Sequence, residues 1–426
     1  MMLVCRHWYA VMLSTPGIQS QLRIRRATQK ETIQTFLQAR TRWLMDVIID
    51  INDAEDGNDF NADNFHASFM AAAQAASRWC SLKLVSPPPH GEFDSMHILQ
   101  PLRRLESFKL AQGFGTLVDL LMTAIGRTAT PTFTTMELAD PVAVKYIVQP
   151  AYLHISHSLV TLDIRLSKRM DSVVDLLPHL QRLEIFVAHH LCLPIYPPDA
   201  ALPLFQTLHS LNLKSVSVQW MAGHIFSSLR TCSIIFPQHA GAIQALQPVT
   251  MHSCYDFTYT SNDLSPLTHF YLRSLDSMDV KSGQWRVWRG NPHLAAMHHI
   301  LAASARSLSR LHLDVQCSER LLDYILTLVP KLGELWLGLA RPHALSAAFF
   351  QAFILEKPDS FDAFDVVGLP RKGIPPLCKS LWSLRLHYKR WLRGPDKRSL
   401  LRVFDDIASS RAKLKIDLRF RLQLSF

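Results

Sequence analysis

The chain has 426 residues, 48% of them hydrophobic, with 15 glycines and a formal net charge of +10. By length alone it would hold roughly two to three ordinary domains and bury a large core. No window approaches the roughly 18 uncharged apolar residues of a membrane span, and Arg6 and His7 break the first apolar segment, so neither a spanning helix nor a secretory signal is expected.

Seven cysteines (Cys5, Cys80, Cys192, Cys232, Cys254, Cys317 and Cys378) lie singly, without a C-x-x-C pair. This favours reduced thiols in apolar surroundings over a disulfide framework or a zinc site, and a cytoplasmic or nuclear location.

Taken in order, Leu3 to Leu13 predicts a helix that gathers Val4, Trp8 and Val11 or Met12 on one face and stops before Pro16-Gly17. Such a face needs a partner, and a cap packed on whatever follows would supply one. The residues Leu3-Val4-Cys5-Arg6-His7-Trp8, then Ser14-Thr15-Pro16 and Leu22-Arg23-Ile24, also resemble the second half of a fungal F-box. The leading L-P-x-E segment is not among these residues, and Gln19 stands where the family has a late Trp. The resemblance implies docking of Val4, Cys5, Trp8 and Leu22 on the adaptor subunit of an SCF-type ubiquitin ligase. It also implies a substrate-receptor role for the rest, with adaptor binding weakened unless a longer N-terminus completes the module.

A second helix is expected from Glu31 to Arg40, a strand from Trp43 to Ile51, and an Ala-rich helix from Phe65 to Ser77. Between Asp46 and Asp63 stand seven acids and no Lys or Arg. The acidic, Asn-rich loop from Asp53 to Asn64 does not keep the spacing of an EF-hand calcium loop, so it reads as a solvated turn.

From Trp79 onward one pattern recurs, apolar-x-x-apolar-x-apolar. Its seed is Leu180/Leu183/Ile185, and it fits Trp79/Leu82/Leu84, Leu105/Phe108/Leu110, Phe133/Met136/Leu138, Leu159/Leu162/Ile164, Leu208/Leu211/Leu213 and Leu229/Cys232/Ile234. It continues through Leu267/Phe270/Leu272, Leu308/Leu311/Leu313, Leu332/Leu335/Leu337, Phe361/Phe364/Val366 and Leu381/Leu384/Leu386. Consecutive starts between 79 and 229 lie 21 to 28 residues apart, the period of leucine-rich repeats. Each unit would put three apolar side chains inside and expose the intervening residues on a parallel sheet, with amphipathic helices such as Thr116 to Ile125, Pro292 to Ala305, Ser318 to Leu328 and Pro395 to Ile407 behind it.

The expected fold is therefore α/β: an irregular leucine-rich-repeat solenoid over 29–426, with a curved parallel sheet and outer helices, preceded by a short helical F-box remnant over 1–28. An insertion is expected from Ser277 to Gly290, and the strict alternation from Leu414 to Phe426 predicts a closing strand.

From Lys379 to Phe426 there are thirteen Lys or Arg against four Asp. Cations interleave with aromatics around Trp382 and Trp391, so Arg385, Lys389, Arg390 and Arg393 are candidates for contacting phosphate or an acidic partner. The other view makes Trp382 and Trp391 core residues of the last units. His189-His190-Leu191-Cys192, and His293 with His298-His299, read as chance groupings rather than metal ligands.

No phosphate-binding glycine loop, H-E-x-x-H or G-x-S-x-G occurs. The expectation is a non-enzyme without metal or cofactor: a scaffold that holds a protein partner on the concave face, with the ligase adaptor as a second partner. Nucleic-acid or anionic-surface binding through the basic end is the alternative.

Overall fold

The computed structural model describes residues 21–25, 28–39, 43–51, 62–86, 102–127, 132–170, 176–197, 200, 202–236, 247–281, 291–314, 319–339, 345, 347–351, 353, 378, 380–388, 395–410 and 415–420. It forms two compact units, Met1–Pro194 with Ala200–Leu208, and Ile195–Asp199 with His209–Phe426.

In the first unit seven strands run parallel, each hydrogen-bonded to the one before it in the chain. They are β1 (Gln21–Ile24), β2 (Met45–Asp50), β3 (Trp79–Ser86), β4 (Ser107–Leu110), β5 (Thr135–Leu138), β6 (Thr161–Met170) and β7 (Ile185–Leu191). Alternation along each strand sends every second side chain to the core. Leu22, Val47, Leu82, Phe108, Met136, Leu162 and Phe186 lie side by side in one buried row, and Ile24, Ile49, Leu84, Leu110, Leu138, Ile164 and Ala188 form the next.

Parallel neighbours need a crossover. The helices Lys30–Ala39, Ala62–Ala73, Thr116–Gly126 and Pro141–Ile147 supply several of these. The Asp140 side chain caps the last of them, accepting from the Val142 amide at 2.8 Å and the Gly113 amide at 3.1 Å, while Pro141 sits at the first helical turn, where its missing N–H costs nothing.

The second unit repeats the plan with eight parallel strands. These are β8 (Ser210–Lys214), β10 (Thr231–Ile235), β12 (Asp256–Thr260), β14 (Ser277–Lys281), β15 (Arg310–Asp314), β16 (Glu334–Leu339), β17 (Ser383–Tyr388) and β18 (Lys415–Phe420). Their core rows are Leu211, Cys232, Phe257, Met278, Leu311, Leu335 and Leu384, and Leu213, Ile234, Tyr259, Val280, Leu313, Leu337 and Leu386.

Behind the early strands the crossovers are too short for long helices. They hold β9 (Ile225–Phe226), β11 (Val249–Met251) and β13 (Phe270–Tyr271), a small parallel sheet. Leu211 to Cys232 spans 21 residues; Met278 to Leu311 spans 33 and accommodates the helix Asn291–Ser304.

Three features of the predicted array are corrected. The seed triplet is out of register: Leu162 pairs with Phe186 and Ile164 with Ala188, so the unit is Leu183/Phe186/Ala188, while Ile185 pairs with Thr161 and is 39% exposed. Leu180 is buried as predicted, but within the turn that precedes the strand. Next, Leu267/Phe270/Leu272 belongs to the small back sheet, not to a rung of the main one.

The expected insertion at Ser277 begins with a rung instead. Leu275, Met278 and Val280 satisfy the repeat, and Lys281 ends that strand; residues 282–290 lie outside the described residues. Three further rungs escaped the leucine pattern, Cys254/Phe257/Tyr259 in β12 and the strands β1 and β2 ahead of Trp79, although β2 falls on the strand expected from Trp43 to Ile51.

The other expected helices are present within a few residues of their predicted ends. They are Lys30–Ala39, Ala62–Ala73, Thr116–Gly126, Asn291–Ser304, Glu319–Leu328 and Pro395–Ser410. The closing strand is present as β18, parallel to β17. Phe361/Phe364/Val366 and the helix over Leu3 to Leu13 lie outside the described residues. No helix among the described residues is long and apolar enough to cross a membrane.

Candidate binding surface

The residues between the core rows stand on the opposite face of each sheet. In the second unit they form two cross-strand rows. Ser210, Thr231, Asp256, Ser277, Arg310 and Glu334 make the first, and Asn212, Ser233, Thr258, Asp279, His312, Trp336 and Arg385 the second. Small polar side chains at the β8 and β10 end, with Thr231 Oγ1 donating to Ser210 Oγ at 2.9 Å, give way to charged and aromatic ones toward β17.

A depression of about 320 Å³ lies over β14, with Ser277 and Met278 among its lining residues and Asp256, Thr258, Asp279, Arg310, Glu334 and Trp336 around them.

Its aromatic side is built by register. Trp336 is flanked in its row by His312 on β15 and Arg385 on β17. The His312 ring stacks on Trp336, with centroids 3.9 Å apart and planes inclined by 7°. His312 is held from below: its Nδ1 lies 3.0 Å from Asp279 Oδ1, and Lys281 Nζ donates to the other carboxylate oxygen. Burial by itself raises the Asp279 carboxyl, but the hydrogen bonds from His312 and Lys281, with their charges, outweigh it and hold the group below the usual carboxylate range.

Arg310 reaches Asp276 Oδ2 at 2.9 Å, and Ser309 donates to the other oxygen of that carboxylate. Arg385 reaches Glu334 Oε1 at 3.1 Å.

Of the residues singled out from sequence, Arg385 is in this surface, ion-paired across the strands. Lys389, Arg390 and Arg393 lie outside the described residues, as do Val4, Cys5 and Trp8. Leu22 is an inward residue of β1, 5% exposed. Trp382 is 48% exposed rather than core, and its indole lies over Gly333, where an added Cβ would come within 2.5 Å of Nε1.

The histidine groupings make separate ring contacts. His189 and His190 lie in β7, His299 meets Tyr271 edge-on at 4.9 Å, and His298 stacks on Tyr324 at 6.0 Å. Burial pushes the His299 imidazole below its ordinary value. No group of three His, Cys, Asp or Glu among the described residues is arranged to hold a metal ion. The residues of the acidic loop from 52 to 61 are not described.

Asp256, Asp279, Arg310, His312, Glu334 and Trp336 were not among the predicted site residues. They occupy the x positions of units in β12 to β16, two of which the leucine pattern passed over. A pattern admitting Cys, Tyr and Met would have found Cys254/Phe257/Tyr259 and Leu275/Met278/Val280.

The class these observations define is an α/β repeat protein whose parallel strands pair in chain order. No family model matches the chain, and no curated protein matches it. Among solved structures it is similar to a chain in the Toll–Spatzle complex of Drosophila, at 13% identity and a TM-score of 0.41. The alignment covers 94% of this chain and 51% of that one, so the present chain spans about half the length of that neighbour.

Proposed function

We propose that the chain is a leucine-rich-repeat-type, non-catalytic scaffold that holds a protein partner on the outward face of its second-unit sheet. One observation carries this reading: the outward rows of β12 to β17 bring charged and aromatic side chains from five rungs into a single depression, while the inward rows are uniformly apolar. A face whose only task was solvation would not need Trp336 there, since an aromatic with a polar edge is the residue type that interfaces concentrate. The F-box-like residues Val4, Cys5 and Trp8 add the finer reading of a ubiquitin-ligase substrate receptor.

The test is site-specific photo-crosslinking in cell extract. A crosslinker replacing Thr258, in the outward row, should trap a protein that survives nuclease treatment; one replacing Tyr324, exposed on the helix Glu319–Leu328, should not. Equal trapping at both positions, or an adduct that nuclease removes, overturns the reading. For the finer reading, Trp8→Ala should abolish whatever adaptor capture the full chain shows.

A further inference from the structure

The charges around the depression are unequally committed. Each cation in it or beside it is already paired: Arg310 with Asp276, Arg385 with Glu334, and Lys281 with Asp279. His312 lies with its Nδ1 3.0 Å from Asp279 Oδ1. Asp256 differs. Among the described residues no basic group and no hydrogen-bond donor reaches its carboxylate, although it borders the same depression.

Next to it in the row is Ser277, a small side chain that leaves room above the strand; Met278 and Leu311, which also border the space, are inward and buried. Of the open groups that remain, the charged one is the Asp256 carboxylate; the second oxygen of Glu334 and the hydroxyl oxygens of Ser277 and Thr258 can also accept. The lining therefore has one uncompensated negative charge in a space left open by a small side chain. A long, narrow basic side chain complements both, its stem fitting the space over Ser277 and its charged head meeting the carboxylate.

Resting on the scaffold reading above, we infer that this depression is the subsite for one arginine or lysine side chain of the bound protein, with Asp256 as its anchoring carboxylate. Arg310 does not fill the role. Its guanidinium is held by Asp276 on the strand-entry side, and swinging it to Asp256 would leave Asp276 with Ser309 alone and no cation. A partner cation meets no such cost, and Asp256 needs no rearrangement to receive it.

The experiment is selection of a random-peptide phage library on the purified full chain. Recovered peptides should share a basic residue at one fixed position, and the affinity of such a peptide should fall about ten-fold or more with Asp256→Asn, as expected for a hydrogen bond to a charged group. Ser277→Leu, which fills the space without touching a charge, should weaken the same peptide. Asp323→Asn removes one exposed acid from the helix Glu319–Leu328 and should leave it unchanged. Thermal unfolding of each variant verifies that it is folded.

Recovered peptides without a fixed basic residue, or with one that is indifferent to Asp256→Asn, overturn the inference and leave the scaffold reading intact. Equal weakening by Asp323→Asn reduces the effect to net charge and also overturns it. Recovery of no peptide, together with no crosslink at position 258, removes both.

Discussion

Phe186 and Ile185 are adjacent, both hydrophobic, and opposite in their predicted importance. If the rung is Leu183/Phe186/Ala188, Phe186 is fully buried beside Leu162, whereas Ile185 stands with Thr161 on the polar face. Replacing Phe186 with Ala removes a buried aromatic and leaves a cavity, a change that typically costs about 3–5 kcal/mol. In a repeat protein that loss falls on one rung and its packing on the neighbouring rung, so it should destabilise the first unit. Ile185→Ser loses only the half of the side chain that the sheet covers, which should cost about 1 kcal/mol or less. Urea unfolding followed by far-ultraviolet circular dichroism separates the cases, because the slope of the transition reveals whether cooperativity has been broken. A Ile185→Ser variant as damaged as Phe186→Ala would mean that the seed triplet Leu180/Leu183/Ile185 is the true rung, and the register described here would be wrong.

Other expectations follow from the same fold. The folded Asp279 carboxyl lies below its ordinary value, so folding favours its ionised form. The stability this adds is complete above the unfolded-state value of roughly 3.9 and is lost as pH falls through the lower folded value. The urea-midpoint gap between the parent chain and Asp279→Asn should accordingly narrow as pH drops below about 4, and a gap that stays constant there contradicts the assignment. Gly126→Ala would place a Cβ 2.5 Å from the Tyr152 ring, which is buried and packs edge-on with Tyr146 at 5.5 Å. Overpacking of this kind should cost about 1–3 kcal/mol by the same denaturation assay. Asp140→Ala removes the cap of the helix Pro141–Ile147 together with the hold on Gly113, and should cost about 1–2 kcal/mol. Burial raises the Cys232 thiol well above its ordinary value and pushes Cys254 up to about 12, so neither should react with a thiol dye until urea opens the second unit.

Much of the sheet was legible because its cause is local. Leu208/Leu211/Leu213 or Leu332/Leu335/Leu337 must point one way to be buried, and a period of two next to a fixed first leucine says so without any knowledge of neighbours. Legibility failed where the inward residues were not leucines. Tyr259 is fully buried, its hydroxyl donating to the Asp263 carbonyl at 3.0 Å, and Cys254 behaves as a small apolar residue, so that rung reads as loop to a leucine search. At the seed the failure was different. Leu180, Leu183 and Phe186 are spaced three apart and all are buried, so two overlapping triplets fit, and only pairing with Leu162 decides between them.

The surface was illegible for a physical reason that applies to any stacked sheet. An outward side chain is chosen for the residue beside it, and that neighbour is a full repeat away in the chain. Asp279 meets His312 across a 33-residue connection, His312 meets Trp336 after 24 more, and Glu334 meets Arg385 only at 51. No window that reveals the repeat can hold two of these partners at once, so the sequence marks each as an interchangeable x. Arg385 was noticed through the composition of its own stretch, which suggested a free cation for an anionic ligand; its pairing with Glu334 turns it into part of a compensated wall. Charge counting along the chain thus points to a basic surface at the C-terminal end, whereas charge pairing across the rungs leaves Asp256 as the open group. The two accounts differ in the sign of the ligand they call for, and the sign is what a selected peptide would report.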